Sequence, residues 1–285
     1  MKKLNFIIKY GLALLLLSFY SCESWLNVTP SDRLSEEMLF NDREGFVKAL
    51  NGVYIELNTN ELYGRNLTAG ALDVMGQYYS VASSSHAFYN YGGLVYTGND
   101  EKALFDNMWQ KCYAVIACCN TIIEKCDENK AGLSPVWKGS IKGEALALRA
   151  MLHFDMLRLF GPLTSELDKE SIPYQTNSDQ TVTPLLSGSE VIGLILDDLK
   201  NAVGLLKDTD PYFVEEEFSD TDLNYRRFRM NYFAAKGLMA RVQLWGGDKE
   251  KAAITAKEVI AEGQAEGAEF FPFVTNSEAT SSNPD

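Results

Sequence analysis

Histidine is nearly missing from this chain: His86 and His153 are the only two in 285 residues. So few imidazoles leave little room for a nucleophile–base–orienter set or a histidine-rich metal centre. Basic charge is short too. Twenty-six Lys and Arg face 39 Asp and Glu, a formal charge of −13, and the basic footprint that a nucleic-acid binder needs is not there. Proline is limited to 8 residues and cysteine to 5, which excludes a collagen-like fibre and a disulfide-built miniprotein. What is present is ordinary for a globular chain with a sizeable core: 46% hydrophobic and 23% charged side chains. The length suits one large domain or two small ones.

The N-terminus reads as an address. Lys2 and Lys3 precede an apolar run from Leu12 to Leu17, which ends in Ser18-Phe19-Tyr20-Ser21-Cys22. A positive start, a short apolar run and a small residue before the cut mark a secretory leader. The run falls short of the roughly 20 apolar residues that span a bilayer. Cys22, placed directly after Ser21, points to the lipoprotein version, in which it becomes the acylated N-terminus; plain secretion with Cys22 as an ordinary thiol is the alternative. Two or more acyl chains suffice for stable anchoring. Removing residues 1–21 takes Lys2, Lys3 and Lys9 and no acid, leaving 264 residues with 23 basic and 39 acidic side chains, a formal −16.

The remaining cysteines are Cys112, Cys118, Cys119 and Cys126. Cys112, Cys119 and Cys126 recur every seven residues on what reads as one helix, about 10 Å apart along its axis. That exceeds disulfide reach, so they are expected as a stripe of small buried side chains. Neither histidine stands at a ligand-like spacing from them, and no metal or other cofactor is expected.

Helical periodicity dominates the rest. Residues 35–57 predict a helix with an acidic first turn, Ser35-Glu36-Glu37. Residues 67–81 predict another, interrupted by Gly70 and Gly76. Residues 83–100, rich in Ser, Gly, Asn and Tyr, predict a long exposed loop, uncommon at that length unless functional. Strong helices are expected over 105–129 and, after Pro135, over 136–160, where Gly161-Pro162 stops the chain. A coil over 163–185 leads to a helix over 189–206, then to an acidic insert over 208–224. A closing helix pair, 229–245 and 248–264, turns across Gly246-Gly247. The expected fold is all-α: tetratricopeptide-like helical pairs with long irregular loops and irregular repeat spacing. The divisions are a leader over 1–21, a tether over 22–34, a helical domain over 35–273 and a frayed tail over 274–285.

Four segments carry a family resemblance. The first is Cys22-Glu-Ser-Trp-Leu-Asn-Val-Thr-Pro-Ser-Asp32 with Phe40-Asn-Asp-Arg-Glu44 and Leu50-Asn-Gly-Val-Tyr54. The second spaces Trp109, Tyr113, Ile116 and Asn120. The third and sharpest is Gly143-Glu-Ala-Leu-Ala-Leu-Arg-Ala-Met-Leu-His-Phe-Asp-Met-Leu-Arg-Leu-Phe-Gly161. The fourth joins Asp197-Asp-Leu-Lys-Asn-Ala202 to Arg229-Met-Asn-Tyr-Phe-Ala-Ala-Lys-Gly-Leu-Met-Ala-Arg-Val242. Together they resemble the SusD/RagB family of nutrient-binding outer-membrane lipoproteins. The resemblance implies a non-catalytic, lipid-anchored, surface-exposed protein of the outer membrane. Such a protein captures an oligosaccharide or peptide and hands it to a SusC-type TonB-dependent transporter. It also implies a longer protein, whose loop-rich C-terminal region supplies much of the ligand face, so that these residues correspond to the helical half. A helical-repeat interaction module of the same transporter complex, with no ligand contact of its own, is the other reading.

Two groups of residues compete as a site. Arg149, His153, Asp155 and Arg158 share the most family-like helix and could form an acid–base constellation, with His153 as acid/base and Asp155 as its orienter. The heavily apolar setting instead favours a satisfied structural network, with Trp109 and Asn120 in the same signature. Glu215, Glu216 and Glu217 read as solvated surface rather than the spaced carboxyl pair of a glycosidase. The loop is different: Tyr78, Tyr79, His86, Phe88, Tyr89, Tyr91 and Tyr96 crowd one polar stretch. Sugar rings pack C–H faces on aromatic rings, and a tyrosine adds a hydrogen-bonding hydroxyl. Some of these rings are expected to anchor the loop rather than meet ligand.

Overall fold

The computed structural model describes residues 36–179 and 181–264, together with 277 and 280. The leader, the tether with Cys22, residues 265–273 and most of the tail lie outside the described residues. The chain divides into two compact units, residues 1–39 and 40–285. Of the first, only the single helical turn α1 (Glu36–Leu39) is described.

In the second unit, α2 (Arg43–Leu57) begins where Asp42, in extended backbone, accepts the amide of Gly45 at 2.8 Å. This cap interrupts the continuous helix expected over 35–57. The helix expected over 67–81 shrinks to α3 (Ala71–Met75), bounded by Gly70 and Gly76. The chain then passes α4 (Tyr89–Gly92), a helical turn within the expected loop. α5 (Asn99–Glu128) starts six residues earlier than periodicity predicts, with Asp100 and Glu101 in its first turn. Acidic side chains there complement the helix dipole without adding to the apolar stripe, so hydrophobic spacing underestimates the helix. Asn129, left-handed at φ 45°, ends it.

α6 (Pro135–Phe160) is the central element. Ser134 caps it, Pro135 occupies its first turn, and its middle is buried on nearly every side. α5, α7 (Gly188–Thr209), α2 and α9 (Tyr232–Trp245) all pack on it. α7 approaches closest because Gly139 and Gly143 carry no side chain. A Cβ at Gly143 would lie 2.8 Å from Leu206 Cγ, and one at Gly139 2.5 Å from Thr209 Cγ2. α7 opens with a full capping box, Ser187 and Glu190. Its buried stripe, Val191, Ile195, Leu199, Ala202 and Leu206, faces this seam.

Two strands that the sequence gives no periodicity for, β1 (Glu170–Pro173) and β2 (Leu185–Ser187), pair antiparallel and clasp the base of α7. The acidic insert expected over 208–224 contains a 3₁₀ turn over Glu215–Glu217 and runs into the short helix α8 (Asp220–Arg226). α9 and α10 (Lys249–Gly263) form the expected closing pair, turning at Gly247 with φ 90°. The architecture is an all-α, tetratricopeptide-like array with one two-stranded ribbon. Cys112, Cys119 and Cys126 are free and buried, as their spacing predicts, and Cys118 is exposed.

Candidate functional site

The polar residues of α6 are committed to one another and to neighbouring elements. Arg149 forms a two-pronged ion pair with Asp198 of α7, Nε to Oδ2 at 2.7 Å and Nη2 to Oδ1 at 2.6 Å. Its Nη1 also donates to Asn120 Oδ1 of α5 at 2.9 Å. Tyr174 adds its hydroxyl to Asp198 at 2.6 Å. The Asn120 amide in turn donates to the carbonyls of Gln175 and Asn177 at 3.2 and 2.9 Å. Three helices and the segment after β1 are thereby tied through one buried guanidinium. Burial alone would lower the Arg149 pKa, but the Asp198 carboxylate outweighs it and holds the side chain charged.

His153 sits in the same network without access to solvent. Its Nδ1 donates to the Arg149 carbonyl at 3.0 Å and its Nε2 accepts the Gln175 amide at 3.0 Å, which fixes a neutral ring. The ring stacks on Tyr174 at 3.9 Å between centroids. Burial pushes its pKa down to about 3, with a smaller contribution from the Arg149 charge. A proton-transfer role requires a ring that titrates near the working pH and reaches substrate; this one does neither. Asp155 takes the Tyr63 hydroxyl at 2.5 Å and pairs with Arg158. Trp109 packs at 4.7 Å from Tyr113 and edge-on to Phe160 at 5.1 Å. These signature residues form a scaffold.

The loop places its aromatics unequally. Tyr91 is 2% exposed, with the rings of Phe88, Tyr96 and Phe105 within 6.3 Å of its centroid. Phe88 and Tyr96 are half-buried beside it. Tyr78 is 81% exposed, and Tyr79, His86 and Tyr89 also face solvent. The loop is clasped at its neck. Gln77 just before it and Leu94 near its end are in left-handed backbone, φ 61° and 56°, and the Gln77 side-chain amide donates to the Gly92 carbonyl at 3.0 Å. Asn90 adds a 2.7 Å bond to the buried Glu101 of α5. The exposed tyrosines therefore stand on a segment anchored by Tyr91 to the helices.

A second buried ion network carries no sequence signal. Arg226 of α8 reaches back to Asp210 with a 2.6 Å contact and pairs with Glu144 of α6, which also takes the Tyr54 hydroxyl. Burial opposes the Arg226 charge, and the Glu144 and Asp210 carboxylates reverse that effect and drive its pKa up. Residue 226 lies 82 positions from Glu144, a separation invisible to local patterns. Among the described residues no group of three His, Cys, Asp or Glu is placed to hold a metal ion.

With this geometry in view, comparison with known proteins is specific. Residues 24–244 match the family model SusD-like_3, described as starch-binding and associating with the outer membrane. SusD-like protein P2 of Formosa agariphila is 26% identical over 265 residues, covering 90% of this chain and 46% of that protein. A SusD-like protein of Bacteroides ovatus is 30% identical over 146 residues, half of this chain and 23% of its own length. Among solved structures, a SusD superfamily protein from Bacteroides vulgatus aligns at a TM-score of 0.65 and 20% identity, covering 84% of this chain and 50% of that one. A laminarin binding SusD-like protein aligns at 0.62 and 16%, covering 84% and 48%. The chain thus spans half or less of the length of these relatives. Matched over most of its residues and sharing the helical array, it belongs to the SusD-like family.

Proposed function

We propose that this chain is the helical part of a non-catalytic, cell-surface glycan-binding lipoprotein. It is held to the outer membrane through an acylated Cys22, captures an oligosaccharide and passes it to a SusC-type TonB-dependent transporter. The observation that carries the reading is the set of exposed tyrosines, Tyr78, Tyr79 and Tyr89, on a loop pinned to a SusD-like scaffold. A loop backbone held in place before binding loses little conformational freedom when a sugar stacks on its rings. The laminarin binding neighbour and the family description support a glucose polymer as ligand. The spent hydrogen-bonding capacity of His153 and Asp155 supports binding without catalysis.

Affinity electrophoresis through gels containing soluble starch or laminarin tests this. The protein should be retarded, and the double variant Tyr78→Ala/Tyr89→Ala should migrate freely. Retardation by no glycan at all would sink the reading. For the anchor, Cys22→Ala should release the protein from the membrane fraction, and unchanged membrane association would overturn the acylation. A second reading is an interaction module of the same transporter complex without ligand contact of its own. It expects co-purification with the transporter and no glycan retardation.

A further inference from the structure

A cavity of about 390 Å³ lies between α2, α6 and the strap formed by residues 211–229. None of the loop aromatics lines it. Its walls join apolar Val47, Leu50, Ile141 and Pro211 to the polar side chains of Asn51, Ser140, Thr221 and Tyr225. The charges at its base cancel locally. Arg226 is taken up by Asp210 and Glu144, and Arg229 is shared between Asn51 and Glu144. An anion entering here meets Glu144 and Asp222; a cation meets two guanidinium groups. An anion finds both guanidinium groups already paired, and Asp222, the lining carboxylate outside these ion pairs, is taken up by the Ser219 amide and hydroxyl in the cap of α8, so the site suits a neutral occupant.

One buried donor is left over. Trp137 lines the cavity, its ring tilted at 49° to Phe218 with centroids 4.5 Å apart and covered by the Arg43 guanidinium at 4.8 Å, and its indole N–H has no partner among the described residues. Buried polar groups are nearly always paired, and an exception among the described residues marks a donor open to a partner. Apolar walls, two aromatic rings and neutral hydroxyl and amide groups are the complement of a sugar ring, which presents C–H faces and hydroxyls together.

We propose that this cavity is a second, small site for a neutral sugar of one or two rings, separate from the loop and closed by the strap. The choice of a sugar over another neutral polyol rests on the glycan-binding reading above. The site would hold a chain end or a released mono- or disaccharide, whereas the open tyrosine loop suits the length of a polymer.

The test follows the indole N–H resonance of Trp137 in the full chain, assigned by its loss in Trp137→Phe, during titration with maltose. Saturable movement, with a dissociation constant on the order of 1 mM, is expected. Tyr225→Ala, a change at a 60% exposed side chain, should weaken it about tenfold, the scale of one good hydrogen bond. Tyr78→Ala/Tyr89→Ala should leave it unchanged. A resonance that does not move, a shift indifferent to Tyr225→Ala, or equal movement with glucuronate would each overturn the proposal. Starch or laminarin retardation with a silent Trp137 resonance defeats the cavity site alone. A Trp137 shift without polymer retardation defeats the loop site alone, and failure of both assays defeats both.

Discussion

α6 and the loop from Tyr78 to Tyr96 are both rich in side chains capable of chemistry, and the fold treats them oppositely. On α6, Arg149, His153 and Asp155 reach partners on α5, α7, the segment after β1 and Tyr63, and little hydrogen-bonding capacity is left for a ligand. In the loop, one buried ring, Tyr91, holds the backbone while Tyr78, Tyr79 and Tyr89 stay in water. Titratable residues gathered on a buried helix must each be satisfied where they stand, which spends them on the scaffold. Exposed rings on a fixed loop carry no such obligation. The sharpest stretch of the family signature, Gly143 to Gly161, thus lies on the buried helix rather than on the loop.

Substitutions can break this contrast from either side. The largest effect is expected at Arg149. Arg149→Ala leaves Asp198 buried without its cation and should cost about 3–5 kcal/mol, read as a lower urea midpoint. The matched pair Arg149→Met/Asp198→Leu should recover much of that loss, since a buried ion pair is replaceable where a buried single charge is not. Tyr91→Ala should come next, at about 3 kcal/mol, because it empties a packed aromatic cluster. Equal tolerance of Tyr91→Ala and Tyr89→Ala would erase the distinction drawn within the loop.

Acid should act through His153. Its pKa is lowered from 6.5 to about 3 by burial. The unfolded chain therefore takes up a proton over that window while the folded chain does not. The stability this ring contributes is complete above about pH 6.5 and declines as pH falls, at up to roughly 1.4 kcal/mol per pH unit, or roughly 2 kcal/mol by pH 5. His153→Gln should flatten that component of the urea-midpoint profile between pH 6.5 and 3. The smallest change is expected at the exposed rings: Tyr78→Ala and Tyr89→Ala should shift stability by less than about 0.5 kcal/mol.

Much of this was legible in the sequence. The helical pattern and the buried cysteine stripe follow from periodicity and composition. Four things were not. α5 begins at Asn99 because its first turn is acidic and adds no apolar stripe to detect. β1 and β2, four and three residues long, are too short to show a period. The acidic insert is ordered by Arg226, whose partner Glu144 is 82 residues distant. Within the loop, composition marks all seven aromatics alike, and only packing against Phe105 separates Tyr91 from Tyr89.

The most direct measurement is to carry Arg149→Ala and Tyr78→Ala/Tyr89→Ala through urea unfolding and laminarin or starch affinity electrophoresis together. The account predicts a crossed result: the network variant lowers the urea midpoint and, while folded, keeps glycan retardation, whereas the loop pair keeps stability and loses retardation. A loop pair that still binds glycan as tightly as the parent chain would contradict it.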